Sequence, residues 1–135
     1  MTVHHFSPVG LTAATPYHHL AVGTGARHIH IAGQVASRVE DGGMPDDLAG
    51  QVAQSLRNVA VGLASVDASF ADVLRLSFYV VDWEASDMDA FMAGVTEVAA
   101  EIGLPLPMPP ASLIGVESLF APGVLVEVEV TALAA

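Results

Sequence analysis

The sequence contains no cysteine and no lysine, and four arginines face fifteen acids, which gives a formal net charge of −11. Without cysteine there is no disulfide, thiolate metal site or thiol nucleophile, and without lysine there is no anchor for Schiff-base or pyridoxal chemistry. A Walker-type phosphate loop also lacks its lysine. Because phosphate backbones repel a chain this acidic, we expect no nucleic acid partner.

Long apolar runs are absent as well, although 53% of the residues are hydrophobic. No stretch approaches the ~20 apolar residues of a membrane span, and the first ten residues lack a leader pattern. We therefore expect a cytoplasmic protein with no membrane partner. The chain has the usual size of one domain, 1–135, and its high apolar fraction with only 14% charged residues indicates oligomerisation.

Glycine and proline divide the chain into five predicted strands and two helices, in the order β-β-α-β-α-β-β. The predicted strands are Tyr17–Val22, Arg27–Ala32, Ala71–Val81, Ala111–Glu117 and Val124–Leu133. A glycine-bearing turn at 23–25 joins the first two, which predicts a β-hairpin. Apolar residues at helical spacing predict one helix along Leu48 to Val66 and another along Met88 to Ile102.

The two helices follow βα crossovers, which are right-handed in nearly all proteins and place both helices on one face of the sheet. The sequence thus predicts an α+β fold with a mixed sheet. The other sheet face is expected to be half apolar, as the valine-rich run 124–130 indicates. We expect sister subunits to cover this face, with ligand pockets where subunits meet.

Six short motifs, in their order and spacing, resemble the Rid family, the YjgF/RidA-type proteins formerly described as endoribonuclease L-PSP or translation inhibitors. The motifs are Pro16-Tyr17, Ala32-Gly33-Gln34, Gln51 to Asn58 (Q-x-x-x-x-L-x-N), Val81-Asp82, Pro110-Ala111-Ser112 and Val126 to Glu129. The resemblance implies the fold of trimeric bacterial chorismate mutase and a homotrimer with three clefts between subunits. It also implies hydrolysis of enamines and imines, such as 2-aminoacrylate, to 2-oxo acids and ammonia.

One departure from the family pattern concerns the substrate. In the family motif P-x-R-[ST], the arginine holds the substrate carboxylate, but here Ala111 replaces it and Ser112 is kept. A guanidinium grips a carboxylate through charge-assisted hydrogen bonds worth about 1.5–3 kcal/mol, which a methyl group does not replace. We therefore expect an enamine, imine or amide other than the usual 2-imino acids. Arg75 is the one substitute considered, and its alternative is an ion pair with Glu127 or Glu129.

The resemblance also assigns the site residues. They are Glu127 as the catalytic, water-placing residue, and Tyr17, Gly33, Gln34, Ala111 and Ser112 as substrate-binding residues. Simpler explanations stay open for several of them. Glu127 shares a strand face with Glu129, so both carboxylates can meet solvent or cations at a subunit boundary. A glycine that ends a strand, such as Gly33, can simply mark a bulge, and Tyr17 can be a half-buried strand aromatic.

All six histidines lie within the first thirty residues. If the predicted hairpin forms, His18 or His19 lies opposite His30, and His28 shares a face with His30. Histidine pairs can ligate zinc, but no known metalloenzyme spacing such as H-E-x-x-H is present. We predict no metal site and no cofactor.

Three functions follow, in decreasing order of support. The first is a Rid-like homotrimer that hydrolyses or deaminates a small enamine, imine or amide in clefts between subunits. The second is a non-catalytic trimer that binds a small molecule or a partner through the same cleft. The third is an endoribonuclease, which the acidic charge disfavours because RNA is repelled at long range.

Overall fold

The computed structural model describes residues 3–135 and contains six strands and two α-helices in that range. The strands are β1 (Val3–Phe6), β2 (Leu20–Gly23), β3 (Arg27–Gln34), β4 (Val73–Val81), β5 (Ala111–Val116) and β6 (Val126–Ala134), and the helices are α1 (Leu48–Ala64) and α2 (Met88–Ile102). A four-stranded mixed sheet has the order β3-β6-β4-β5, with β4 and β5 parallel. The predicted α+β class, with a mixed sheet and two helices, is therefore confirmed.

Both helices lie close to their predicted positions because each has clear end signals. The Asp47 side chain caps α1 by accepting a hydrogen bond from the Gly50 backbone N–H at 3.3 Å. The helix ends at Ala64, so Val66, predicted to continue its stripe, lies beyond it and is partly exposed. Gly103, with φ of 72°, ends α2 in the left-handed conformation. Neither helix is long and apolar enough to cross a membrane, within the described part of the chain.

The hydrophobic core lies between the two helices and one face of the sheet. Every second residue of β4 and β6 points into it, and these are Leu76, Phe78, Val80, Val126, Val128 and Val130. Phe78 meets Phe91 of α2 edge-on, with ring centroids 4.9 Å apart. The helices cross closely at Gly94, where an added Cβ would lie 2.8 Å from the Cβ of Val52. This layer fixes which residues are left for the other sheet face.

The predicted hairpin of Tyr17–Val22 with Arg27–Ala32 is wrong. β2 begins only at Leu20 and pairs with β1 in a separate two-stranded sheet, whereas β3 pairs with β6. His18 and His19 therefore do not lie opposite His30. The physical reason is that alternation of apolar and polar residues marks a strand without naming its partner. The strongly apolar β6 occupies the position beside β3.

The sheet face away from the helices, called the open face below, is more polar than predicted. Because the three valines of β6 point into the core, this strand leaves Glu127, Glu129 and Thr131 for the open face. β4 adds Arg75, Ser77 and Tyr79 there. The expectation of a half-apolar open face is thus wrong, because the valine-rich run has its two residue types on opposite sides of the strand.

Candidate functional site

A small apolar pocket brings together three of the predicted site residues, Tyr17, Ala111 and Ser112. We call it the Ala111 pocket; its volume is about 70 Å³. Its remaining walls are Pro16, Phe78, Met88, Phe91, Met92, Met108 and Leu113. The pocket lies where β5 begins, beneath the chain segment that precedes β2.

Backbone hydrogen bonds hold Tyr17 against the pocket. The His18 N–H donates to the Met108 carbonyl at 2.6 Å, and the Met108 N–H donates to the Pro16 carbonyl at 2.8 Å. The proline-rich segment 105–110 has few backbone donors for a sheet, so it runs as a connector and uses this N–H for the bridge. The sequence motif at 16–17 therefore marks a wall of the pocket rather than a strand.

The chemistry of the Ala111 pocket is that of a hydrocarbon and thioether lining. Three methionines and two phenylalanines surround the Ala111 methyl group, and no arginine lines the pocket. Methionine side chains adapt to irregular apolar groups, whereas an uncompensated carboxylate is costly to place against them. The pocket thus suits an apolar or uncharged part of a ligand.

A second group of predicted site residues lies at the other end of the sheet. The pairing of β3 with β6 is irregular between Ile31 and Gln34, and this places Gly33 directly against the Glu127 side chain. A Cβ at Gly33 would overlap the Glu127 carboxyl group, so glycine is required for this close approach. Gln34 donates its side-chain amide to the Ala32 carbonyl at 3.0 Å. We call this group the Gly33–Glu127 corner.

Two amide side chains of α1 fix the loops on either side of this corner. Gln51 is buried; it donates to the carbonyls of Pro45 at 2.9 Å and Gly123 at 2.8 Å, and accepts from the Leu125 N–H at 2.9 Å. Asn58 donates to the carbonyls of Val35 at 2.8 Å and Ser37 at 3.0 Å.

The sequence analysis used Gln51 and Asn58 only as motif residues and missed this role. The available signal was a buried glutamine within the apolar stripe of a helix, because a buried amide needs partners.

The Ala111 pocket and the Gly33–Glu127 corner do not meet within one chain. Ala111 pairs with Leu76 on the helix side of the sheet, whereas Glu127 pairs with Tyr79 on the open face. The two positions are three residues apart along the strands and two strands apart, about 10 Å in each direction. The single chain therefore presents two half-sites.

The open face carries two further polar contacts. Nη2 of Arg75 donates to Oγ of Ser112 at 2.8 Å, and the Tyr79 hydroxyl donates to Oε1 of Glu129 at 2.5 Å. The hydrogen bond to Glu129 raises the pKa of Tyr79 above its usual value. Among residues 3–135, Arg75 forms no ion pair with either glutamate, so that predicted alternative is wrong. Glu129 is instead held by Tyr79.

The histidines are spread over two regions. The rings of His5 and His18 stack with centroids 6.0 Å apart, and His5 Nε2 lies 2.5 Å from the Val73 carbonyl oxygen. His28 and His30 are exposed on β3. In the described residues, no three histidine or acidic side chains are grouped closely enough to hold a metal ion.

Comparison with known proteins places these half-sites in context. The sequence profile of the family described as Endoribonuclease L-PSP matches residues 8–134. No curated protein sequence matches the chain. Three solved structures share its fold with full-length coverage or nearly so, and they are described next.

The Rid-family protein YyfB from Yersinia pestis is 30% identical, with a TM-score of 0.85 over 99% of this chain and 100% of the other. Rv2704 from Mycobacterium tuberculosis, of the YjgF/YER057c/UK114 family, is 27% identical, with a TM-score of 0.61 over 98% and 99%. TdcF from E. coli, solved with bound serine, is 22% identical, with a TM-score of 0.70 over 91% of each chain. These likenesses confirm the predicted chorismate-mutase-like fold.

Proposed function

Because the chain belongs to the Endoribonuclease L-PSP family, which includes the Rid and YjgF proteins, we propose that it hydrolyses a small enamine or imine in clefts between its copies. The family gives the general role of a small-molecule-binding or deaminase-type protein. The observation that carries the finer proposal is the apolar lining around Ala111, where no cation is present to hold a carboxylate. The expected substrate has an uncharged group beside its carbon–nitrogen bond.

The proposed cleft combines the two half-sites of different copies. A ring of three copies with the Ala111 pocket of one facing the Gly33–Glu127 corner of the next would complete each cleft. Support comes from the separation of the half-sites in one chain, since neither contains both an apolar binding wall and a carboxylate. In this arrangement Tyr17, Ala111 and Ser112 contact the substrate from one side, and Gly33, Gln34 and Glu127 from the other.

The proposed reaction adds one water to the carbon–nitrogen double bond and releases one ammonia. Glu127 accepts a hydrogen bond from the water and takes its proton as the oxygen bonds to the imine carbon. The proton then passes to the nitrogen, the carbon–nitrogen bond breaks, and a carbonyl compound and ammonia leave. Gly33 allows the carboxylate to lie close to the backbone of β3, which restricts the directions in which it can point.

The test compares two substrates and two isosteric variants. An imine with an uncharged alkyl side chain and 2-aminoacrylate are each generated in situ by a partner enzyme, and carbonyl product and ammonia are measured. We expect faster turnover of the uncharged imine, loss of rate in Glu127→Gln, and near-normal rate in Glu129→Gln. Rapid release of pyruvate and ammonia from 2-aminoacrylate would show that our interpretation of Ala111 is wrong.

A second candidate is a trimer that binds the same class of ligand without turning it over. The missing arginine favours it, because no cation replaces it within the Ala111 pocket. Glu127→Gln separates the two functions, since a binding protein keeps its affinity while a water-activating enzyme loses rate. Ribonuclease activity is the third candidate, and the net charge of −11 opposes RNA binding.

A further inference from the structure

We propose that Arg75 anchors a second ligand site, on the open face, for small zwitterions that carry a carboxylate beside a protonated amine. This proposal does not depend on the proposed function. The site lies outside the apolar lining of the Ala111 pocket and uses neither Ala111 nor Glu127. Only Ser112 connects the two regions, because its hydroxyl points to Arg75 on the open face.

The register of the sheet brings the polar residues of this site into two neighbouring rows. Thr131 of β6 pairs with His30 on one side and with Arg75 on the other. In the next row, Ser77 pairs with both Glu129 and Ser112. These rows border a depression of about 480 Å³ on the open face. A small ligand resting there contacts hydroxyl groups, one guanidinium and one carboxylate.

Arg75 differs from the other three arginines in what its guanidinium contacts. Arg38 pairs with Asp41 at 3.3 Å, and Arg57 pairs with Glu101 at 2.7 Å. Arg27 donates to the carbonyls of Ala135 and Val66, both at 2.8 Å.

Arg75 instead makes one hydrogen bond to a neutral serine hydroxyl within the described chain, and it is exposed. Most of its N–H donors thus remain for an anion, and a guanidinium binds a carboxylate through two parallel hydrogen bonds.

Glu129 decides which anions fit. It is exposed, and Tyr79 engages only its Oε1 in the structure. Its position is diagonal to Arg75 across the β4–β6 pair, where side chains start about 7–8 Å apart. A carboxylate so close to the guanidinium repels a dianion such as phosphate, but it attracts a protonated amine. A molecule with both groups on neighbouring carbons can bridge Arg75 and Glu129, and Thr131 offers a hydroxyl between them.

The direct test is an NMR titration of the full chain, with backbone amides assigned, against three probes. Glycine carries both charged groups, acetate carries only the carboxylate and methylamine only the amine. We expect glycine to shift the amides of Thr131, Ser77 and Ser112 at lower concentration than acetate, and methylamine to leave them in place. Equal affinities for glycine and acetate, or shifts confined to the Ala111 pocket, would overturn the proposal.

Variants then identify the two anchoring groups. Arg75→Gln is expected to weaken glycine binding about tenfold or more, since it removes a charge-assisted pair. Glu129→Gln should bring glycine down to the affinity of acetate, and Arg57→Gln, an arginine on the helix side, should change nothing. Arg75→Lys keeps the charge and reports on the guanidinium fork. If Arg75→Gln binds glycine normally, or if its mass in sedimentation drops because copies dissociate, Arg75 is not a ligand anchor and the proposal fails.

Discussion

At the scale of single residues, position 111 is the most informative. The methyl group of Ala111 lies among methionines and phenylalanines, so this half-site binds by apolar contact. The family motif places a cation at this position, and the family resemblance alone shows that its loss matters. The structure adds what takes its place, which is an apolar pocket and not a relocated charge.

Restoring the cation should restore carboxylate recognition. We expect Ala111→Arg to raise kcat/KM for 2-aminoacrylate by about tenfold or more, because a guanidinium–carboxylate pair contributes about 1.5–3 kcal/mol. The assay follows pyruvate and ammonia release. Ala111→Met adds bulk without charge and should give no gain. If both variants behave alike, the apolar lining does not determine substrate choice.

Tyr79 provides a pH-dependent prediction. Its hydrogen bond to Glu129 raises its pKa in the folded state above the usual value near 10.0. A raised pKa means that the folded state holds the phenolic proton more tightly. This contribution to stability is fully present below the unfolded pKa and is lost as the pH rises through the folded pKa.

The tyrosinate absorbance of a Tyr17→Phe background reports on Tyr79 alone. We expect Glu129→Gln to shift this titration to lower pH, because it replaces the charged acceptor. Glu127→Gln should shift it less, because Glu127 does not accept the hydrogen bond. A titration unmoved by Glu129→Gln would contradict the assigned contact.

At the scale of elements, the sequence predicts the helices better than the strand partners. The stripes of α1 and α2 repeat every three or four residues and end at recognisable caps, so their positions follow from local signals. The pairing of β2 with β1, and of β3 with β6, depends on contacts far apart along the chain. Alternation alone does not specify them.

The irregular stretches show the same limit. The pairing of β4 with β6 shifts between Val73 and Arg75, so Val73 joins the core while Leu74 lies near Gly23. A strict two-residue period had placed Leu74 on the core side. The candidate site residues were found through family motifs, but their division into two half-sites was visible only from the strand register.

Gln51 is an element-scale test of how the corner is held. Replacing it by alanine leaves two carbonyls and one N–H without their partner in a buried region. We expect Gln51→Ala to lower the free energy of unfolding by about 3 kcal/mol, measured by urea denaturation. Gln54→Ala, on the same helix, removes one contact to Asn58 and should cost much less. Similar costs for the two variants would mean that the loops hold themselves.

At the scale of the whole molecule, the half-sites predict complementation between subunits. Ala111→Trp fills the apolar pocket, and Glu127→Gln removes the carboxylate, so each variant alone should be inactive. Co-expression in equal amounts should restore activity in roughly a quarter of the clefts, those that combine an intact pocket from one copy with an intact Glu127 from the next. Activity of the separately tagged, co-purified assembly checks this. No recovery would indicate that each cleft is built from a single chain.

The central place of β6 also has a consequence for how the molecule is made. β6 lies between β3 and β4, yet it follows both along the chain by dozens of residues. During synthesis from the N-terminus, β3 and β4 leave the ribosome without the strand that joins them. Their pairing edges stay open until residues 126–134 emerge, and contacts this distant along the chain form slowly. The nascent chain therefore passes through a stage in which chaperones have two unpaired edges to protect.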